Sequence, residues 1–137
     1  EEVAVLAPLT VEAGLDEAVA AAADGRTADL VRLLARLSGQ GVAPVTLCIA
    51  ALRHFRALHA MVSDPGGPEA ALARLRPPPV WKNREALLAQ ARRWRPDRVE
   101  AALALIVETD LALRSTSRAP GAAVLERALI RVAMSLR

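Results

Sequence analysis

The chain has 137 residues, enough for one domain that buries roughly two-thirds of its unfolded surface. Hydrophobic residues make up 53% of it, mostly Ala, Leu and Val, with one Phe, two Trp and no Tyr, and this composition favours packed helices over a sheet. A single cysteine excludes an internal disulfide and indicates the reducing cytoplasm, and because no apolar run reaches about 18 residues we predict no membrane span.

Three helices are predicted in the first half of the chain. The first, Leu15–Asp24, has acidic residues in its first turn and Gly25 after its end, which suits the helix dipole and a C-cap. The second, Thr27–Ser38, begins at a residue whose hydroxyl can cap it and carries a leucine stripe. The third, Pro44–Ser63, has proline in its first turn. Its predicted inward stripe is Val45, Cys48, Leu52, Phe55, His59 and Val62, with Arg53 and Arg56 off the stripe.

Four further helices are predicted in the second half. The DPGGP segment, Asp64–Pro68, is a break, and Pro77–Pro79 must be extended because proline disfavours helical geometry in the residue before it. No strand-like alternation competes with the helical patterns, so we predict an all-α fold, a single bundle of six to seven helices with mostly antiparallel neighbours. These helices are Glu69–Leu75, Val80–Trp94, Pro96–Ser115 and Ala122–Leu136.

Positive charge is concentrated between Arg74 and Arg98. This basic window has eight basic and two acidic residues, a net charge of +6, whereas the whole chain carries +3. Such local charge predicts a surface that binds something. The window also contains both tryptophans. Trp94 closes a helix and is predicted to be a core residue, whereas Trp81 follows three prolines and is either a core residue or an exposed stacking platform.

Motifs for catalysis or metal binding are missing from the sequence. It has no GxxxxGK[ST] phosphate loop. Cys48, His54 and His59 share one helix, but spacings of six and five residues place them on different faces, whereas a zinc site needs converging ligands. We interpret Cys48 as a small core residue and His59 as a core-edge residue with a hydrogen-bonded ring. We therefore predict no enzyme activity, no metal and no cofactor.

Asp110 interrupts the apolar stripe of its helix. Arg114 follows at i+4, the spacing of an ion pair on a helix surface. Two interpretations stay open: a solvated pair at the edge of the helix, or a helix end that faces another subunit. The stripe is Val99, Leu103, Ile106, Asp110 and Leu113, and the stripe of the last helix is Leu125, Leu129, Val132 and Leu136.

Three segments share an order and spacing with a known family. The first, Leu15–Leu58, is a helix, a glycine turn, a leucine-rich helix and the entry Gly41-Val42-Ala43-Pro44 to a long helix. The second is PPVWKNREALLAQARRW, Pro78–Trp94, and the third is RVEAALALIVETDLALRSTS, Arg98–Ser117. Together they resemble the C-terminal domain of the delta-subunit family of bacterial DNA polymerase III clamp loaders. Because residues 1–8 resemble the last helix of a preceding AAA+-like lid domain, we predict residues 1–10 to be its tail or a linker and residues 11–137 to be the helical domain.

The resemblance implies a collar domain, which packs in a ring with similar domains and holds the clamp loader together. Its partners would be the delta-prime and gamma/tau subunits, in a cytoplasmic, nucleoid-associated replisome that loads the sliding clamp on primed DNA. Contact with the clamp would come through an N-terminal domain that this chain lacks. The parent protein would be a non-catalytic subunit of a DNA-directed DNA polymerase holoenzyme.

The resemblance also suggests which residues bind. Primer-template DNA would be bound weakly, through salt-dependent phosphate contacts and stacking on a tryptophan worth about 1–3 kcal/mol. In the loop after the long helix, arginine stands where the family usually has lysine, and no aromatic residue is present for stacking. The predicted DNA-binding residues are Trp81, Lys82, Arg84, Arg114 and Arg118, and the predicted subunit-interface residues are Asp110, Arg127 and Arg131.

A second class of function remains open, a stand-alone helical DNA-binding or scaffold module. A helix-turn-helix needs a short recognition helix after a tight turn. Residues 83–94 are the candidate for that helix, but their entry is a triproline segment.

Overall fold

The computed structural model describes residues 2–76, 81–115 and 120–136, with side chains for residues 11–76, 83–115 and 120–136. This part of the chain forms seven α-helices and no strands, which confirms the all-α prediction. The helices are α1 Glu2–Asp24, α2 Thr27–Gly39, α3 Pro44–Ser63, α4 Pro68–Arg74, α5 Trp81–Arg93, α6 Pro96–Arg114 and α7 Gly121–Ser135.

Helix α3 is the centre of the bundle. It packs most extensively against α6 and also contacts α1, α4, α5 and α7. Helix α7 closes the other side by packing on α1, α2 and α6. By length and composition α3 is the one described helix that could span a membrane. Its Phe55, Leu58 and Met61 are fully buried, so here it is the core helix of a bundle.

The inward stripes of α2 and α7 agree with the prediction, whereas those of α3 and α6 are displaced. All four stripe leucines of α2 are buried, as are Leu125, Leu129 and Val132 of α7, while Leu136 is half-buried. Since α3 and α6 pack on several neighbours, small residues such as Ala51 and Ala102 become buried where backbones approach. The predicted inward residues that are only half-buried are Val45, Leu52, His59, Val62, Leu103, Asp110 and Leu113.

Helix α1 is longer than predicted. It was predicted to begin at Leu15, and residues 1–8 were predicted to be the last helix of a preceding domain. Gly14 lies inside the continuous helix where α1 meets α2, since a Cβ atom there would be 3.0 Å from Leu37 Cδ2. The helix runs without interruption past residue 10, and the division of the chain at that residue remains a prediction.

The turn between α1 and α2 is not capped as predicted. The N-cap position of α2 is Arg26, without a side-chain capping bond, and the buried Thr27 Oγ1 has no hydrogen-bond partner among the described residues. The Arg26 guanidinium instead donates to Asp29 Oδ2 at 2.8 Å and to Asp24 Oδ2 at 3.3 Å. Ion pairs therefore brace this turn in place of the threonine hydroxyl.

Gly25 is the position in this turn where glycine is required. Its φ is +75°, and an added Cβ would lie 3.3 Å from Ala133 O and from Leu136 Cδ2. We expect Gly25→Ala to lower the free energy of unfolding in urea by about 1–2 kcal/mol, because the left-handed conformation costs other residues that much. Gly39→Ala is the matched control, since a Cβ there meets nothing within 4 Å. An equal loss in both variants would contradict this account of the turn.

Candidate functional site

Trp94 anchors the basic window in the core. Its ring is 4% exposed and packs edge-to-face on Phe55, with ring centroids 5.4 Å apart. The indole Nε1 donates a 2.8 Å hydrogen bond to the carbonyl of Ala23 at the end of α1. The prediction that Trp94 is a core residue is confirmed.

Three of the seven arginines of the basic window bind acceptors on other helices of the described chain. Arg92 pairs with Glu69 of α4 at 2.8 Å, and Arg93 donates to the carbonyl of Asp24 of α1 at 3.1 Å. Arg98 bonds to the Ser135 carbonyl of α7. The charge of the window thus fastens α5 and the start of α6 to the bundle, while the guanidinium groups remain exposed to solvent.

The structure does not bring the described DNA-binding candidates together. Arg84 is half-buried on α5, which packs on α1, α3 and α4, whereas the exposed Arg114 ends α6, which packs on α3 and α7. The side chains of Trp81 and Lys82, and the whole of Arg118, lie outside the described residues. Whether Trp81 is a core residue or a stacking platform therefore remains a prediction.

A groove of about 800 Å³ lies between α1, α3 and α5. Its basic side chains are Arg53 and Arg56 of α3 and Arg76, which precedes α5. The two α3 arginines were predicted to lie off the inward stripe, and no function was predicted for them. Their spacing of three residues on one exposed helix face was the available signal. We refer to this feature as the basic groove.

A hydrogen-bonded chain of polar side chains lies at the bottom of the basic groove. His54 Nε2 donates to Gln90 Oε1 at 2.7 Å, and Gln90 Nε2 donates to Asp24 Oδ1 at 3.0 Å. Gln90 is 1% exposed, so its amide depends on these two partners. The chain therefore links α3, α5 and α1 through one buried amide.

His54 makes stability dependent on pH. Burial lowers the pKa of His54 from its ordinary value of 6.5, although the bond to Gln90 opposes this. Below about pH 6.5 the unfolded chain binds a proton at His54 more readily than the folded chain does. The free energy of unfolding is therefore highest above that pH and decreases as the pH falls below it. The pKa values of Asp64 and Glu69 are also lowered, but protonation of these carboxylates reduces the free energy of unfolding only below about pH 4.5.

We expect the free energy of unfolding, measured by urea denaturation, to decrease by at most about 1.4 kcal/mol per pH unit as the pH is lowered from about 6.5 to about 5.5. In His54→Gln the decline should be absent, because the residue that takes up the proton is gone. The same decline in both proteins would show that another group is responsible.

Asp110 and Arg114 form the predicted i,i+4 ion pair. Arg114 Nε lies 3.1 Å from both carboxylate oxygens of Asp110, whose side chain is 23% exposed.

Burial and, to a lesser degree, the Asp110 charge raise the pKa of Cys48 to about 11. The thiol lies 3.5 Å from the Ile106 carbonyl and is 1% exposed, which confirms Cys48 as a core residue.

Arg127 and Arg131 lie one turn apart on the exposed side of α7. They border a cleft of about 260 Å³ between α6 and α7, whose lining includes Leu105, Thr109 and Val124. The Thr109 hydroxyl is bonded to the Leu105 carbonyl at 2.7 Å, so it adds no unpaired polar group to the cleft. An apolar floor beside two arginines suits contact with another protein.

His59 and Cys48 do not converge on a metal site. The His59 ring lies 3.2 Å from Glu100 Oε2 and 3.5 Å from Ser63 Oγ, as predicted for a core-edge histidine with a hydrogen-bonded ring. Among the residues that the structure describes, no group of three or more His, Cys, Asp or Glu could hold a metal ion.

No family model matches the sequence, and searches of curated proteins and of solved structures likewise found no match. Function is therefore inferred from the sequence pattern and from the surfaces described above.

Proposed function

We propose that this chain is the helical collar domain of a sliding-clamp loader, similar to the C-terminal domain of the delta subunit of DNA polymerase III. Its function would be to bind the delta-prime and gamma/tau subunits, so that the assembled complex loads the sliding clamp on primed DNA in the cytoplasm. The chain itself would be a binding domain without catalytic activity.

The observation that carries the proposal is the order and spacing of the three resembling segments relative to the helices. The entry Gly41-Val42-Ala43-Pro44 leads into α3, with Gly41 at φ +82° and Pro44 in the first turn. The second segment contains α5, and the third covers α6 from its first turn to its end at Arg114. A resemblance carried by order and spacing requires this correspondence with helix boundaries.

Subunit contact is proposed at the cleft between α6 and α7. Protein interfaces combine an apolar centre with arginine at favourable positions, and Arg127 and Arg131 border such a centre here. Asp110, half-buried beside Arg114, would lie at the edge of the same surface. A neighbouring subunit with acidic residues would complement the two arginines.

DNA contact is proposed at the basic groove. Arg53 and Arg76 lie on its walls together with Asn83, two residues after Trp81. These groups would bind phosphates without regard to sequence, and the affinity would fall as the salt concentration rises. The proposed contact of Trp81, Lys82 and Arg84 with primer-template DNA belongs to this same end of α5.

Titration calorimetry of the chain with the collar domains of delta-prime and the ATPase subunit of the same organism tests the proposal. We expect a dissociation constant in the micromolar range or below, and an increase of about tenfold or more, equivalent to about 1.4 kcal/mol, for Arg127→Glu combined with Arg131→Glu. Arg36→Glu, exposed on α2, is the control and should bind normally. Absence of binding to both subunits, together with measurable DNA binding, would indicate a stand-alone DNA-binding module instead.

A further inference from the structure

Exposed apolar side chains are concentrated on two adjacent helices. The described residues include five large hydrophobic side chains that are exposed, and three of these, Ile49, Val107 and Leu111, belong to α3 and α6. Leu111 is 64% exposed, the largest value of the five. Single exposed hydrophobic residues need no explanation, but a group on one surface marks an interaction site.

A hydrogen bond between His59 and Glu100 shows that these residues lie on one side of the α3–α6 pair. His59 shares a helix face with Leu52, seven residues before it, and Glu100 shares a face with Leu103 and Val107. Because His59 Nε2 and Glu100 Oε2 are 3.2 Å apart, both faces open to the same side. We call this surface the α3–α6 face, and its apolar part is Ile49, Leu52, Leu103, Val107 and Leu111.

The α3–α6 face carries opposite charges along its two edges. The α3 edge is basic, with Arg53 and Arg56, and the α6 edge is acidic, with Glu100 and Glu108, all of them exposed. Arg56 precedes His59 by one turn, so Arg56 and Glu100 lie at similar heights along the helix pair. The acidic edge would repel nucleic acid, whereas a partner with the same arrangement of charges would be complementary.

We propose that the α3–α6 face pairs two copies of this chain in a two-fold dimer. The two-fold axis would run parallel to the helices and would place α3 of one copy against α6 of the other. Each Arg56 would then meet Glu100 of the partner subunit, and the apolar parts of the two faces would pack together. In a two-fold interface every such contact occurs twice. The proposal does not depend on the collar function, because it uses none of the proposed subunit-interface residues of the α6–α7 cleft. Its α3 edge shares Arg53 and Arg56 with the basic groove, so DNA bound in that groove would compete with the dimer.

The size of the face sets the expected strength of the dimer. Helices of about 20 residues are about 30 Å long, and two helices side by side are about 20 Å wide. About 600 Å² per copy is therefore available, or about 1,200 Å² in total, the lower end of the range for specific interfaces. The expected dimer is weak, with a dissociation constant of about 10–100 µM.

Sedimentation equilibrium of the full chain from about 5 to about 500 µM spans this dissociation constant and tests the proposal. The mass should rise with concentration from 14.5 kDa toward twice that value. Val107→Glu combined with Leu111→Glu should stay monomeric throughout, with an unchanged circular dichroism spectrum. Val31→Glu and Met134→Glu, at exposed sites on α2 and α7, are the controls and should dimerise like the parent chain. A parent chain that stays monomeric, or controls that also lose the dimer, would overturn the proposal.

Charge reversal tests the pairing of the two edges. Arg56→Glu and Glu100→Arg should each weaken the dimer about tenfold, because each places like charges opposite one another. The double variant should restore the affinity to within about threefold, since the opposite charges then meet again in exchanged positions. Two additive losses in the double variant would overturn the proposed two-fold arrangement.

Discussion

Replacing Trp94 with alanine is expected to lower the free energy of unfolding by about 3–5 kcal/mol. The substitution removes a side chain that is 4% exposed, its edge-to-face contact with Phe55 and its bond to the Ala23 carbonyl. The loss is large relative to the 5–15 kcal/mol or so that stabilises a typical domain. Urea denaturation followed by circular dichroism measures it.

Two companion variants divide this loss into its parts. Trp94→Phe keeps most of the buried ring but removes the Nε1 donor, so we expect about 1–3 kcal/mol for the unpaired carbonyl of Ala23. Leu111→Ala removes a side chain that is 64% exposed and should change stability by less than about 0.5 kcal/mol. A Trp94→Ala protein as stable as Leu111→Ala would show that the tryptophan is not part of the core.

Replacing Gln90 with leucine is expected to cost about 1–3 kcal/mol in the free energy of unfolding, because the half-buried His54 ring loses the acceptor of its 2.7 Å hydrogen bond. The penalty comes from the orphaned donor and not from lost volume, since leucine is close to glutamine in size. Asp24 remains partly exposed beside Arg26 and keeps an alternative partner.

A double variant separates the hydrogen bond from packing. When His54→Leu is added to Gln90→Leu, neither polar group remains, and the second substitution should cost less than His54→Leu alone by about 0.5–3 kcal/mol. Urea denaturation of the four proteins provides the cycle. Strictly additive losses would contradict the account of Gln90 as the partner of His54.

Local signals predicted most of the helix boundaries. Helix α3 was predicted as Pro44–Ser63, the range observed, because a first-turn proline and a following DPGGP segment mark its ends. Helix α1 was predicted too short because its acidic first turn and alanine-rich run begin at Leu15, while the close approach of Gly14 to Leu37 exists only in the folded bundle. Boundaries set by the residues themselves are thus readable, and those that depend on a neighbouring helix are not.

Burial and pairing were less predictable than boundaries. A periodic stripe assumes one neighbour, but α3 packs on five helices, so Leu52 is only half-buried although it lies on the predicted stripe. The excess charge of the basic window was visible in the sequence, whereas the pairing of Arg92 with Glu69 joins residues far apart in the chain. Arg53 and Arg56 were not assigned to a site because the basic groove forms only when α5 packs beside α3.

The proposed collar function makes one direct prediction about mass. When the chain is mixed with the collar domains of delta-prime and the ATPase subunit of its own organism, size-exclusion chromatography with light scattering should show a single peak. Its mass should equal one copy of this 14.5 kDa chain together with its partners. Separate peaks at the masses of the individual proteins, at concentrations of tens of micromolar or so, would contradict the collar function.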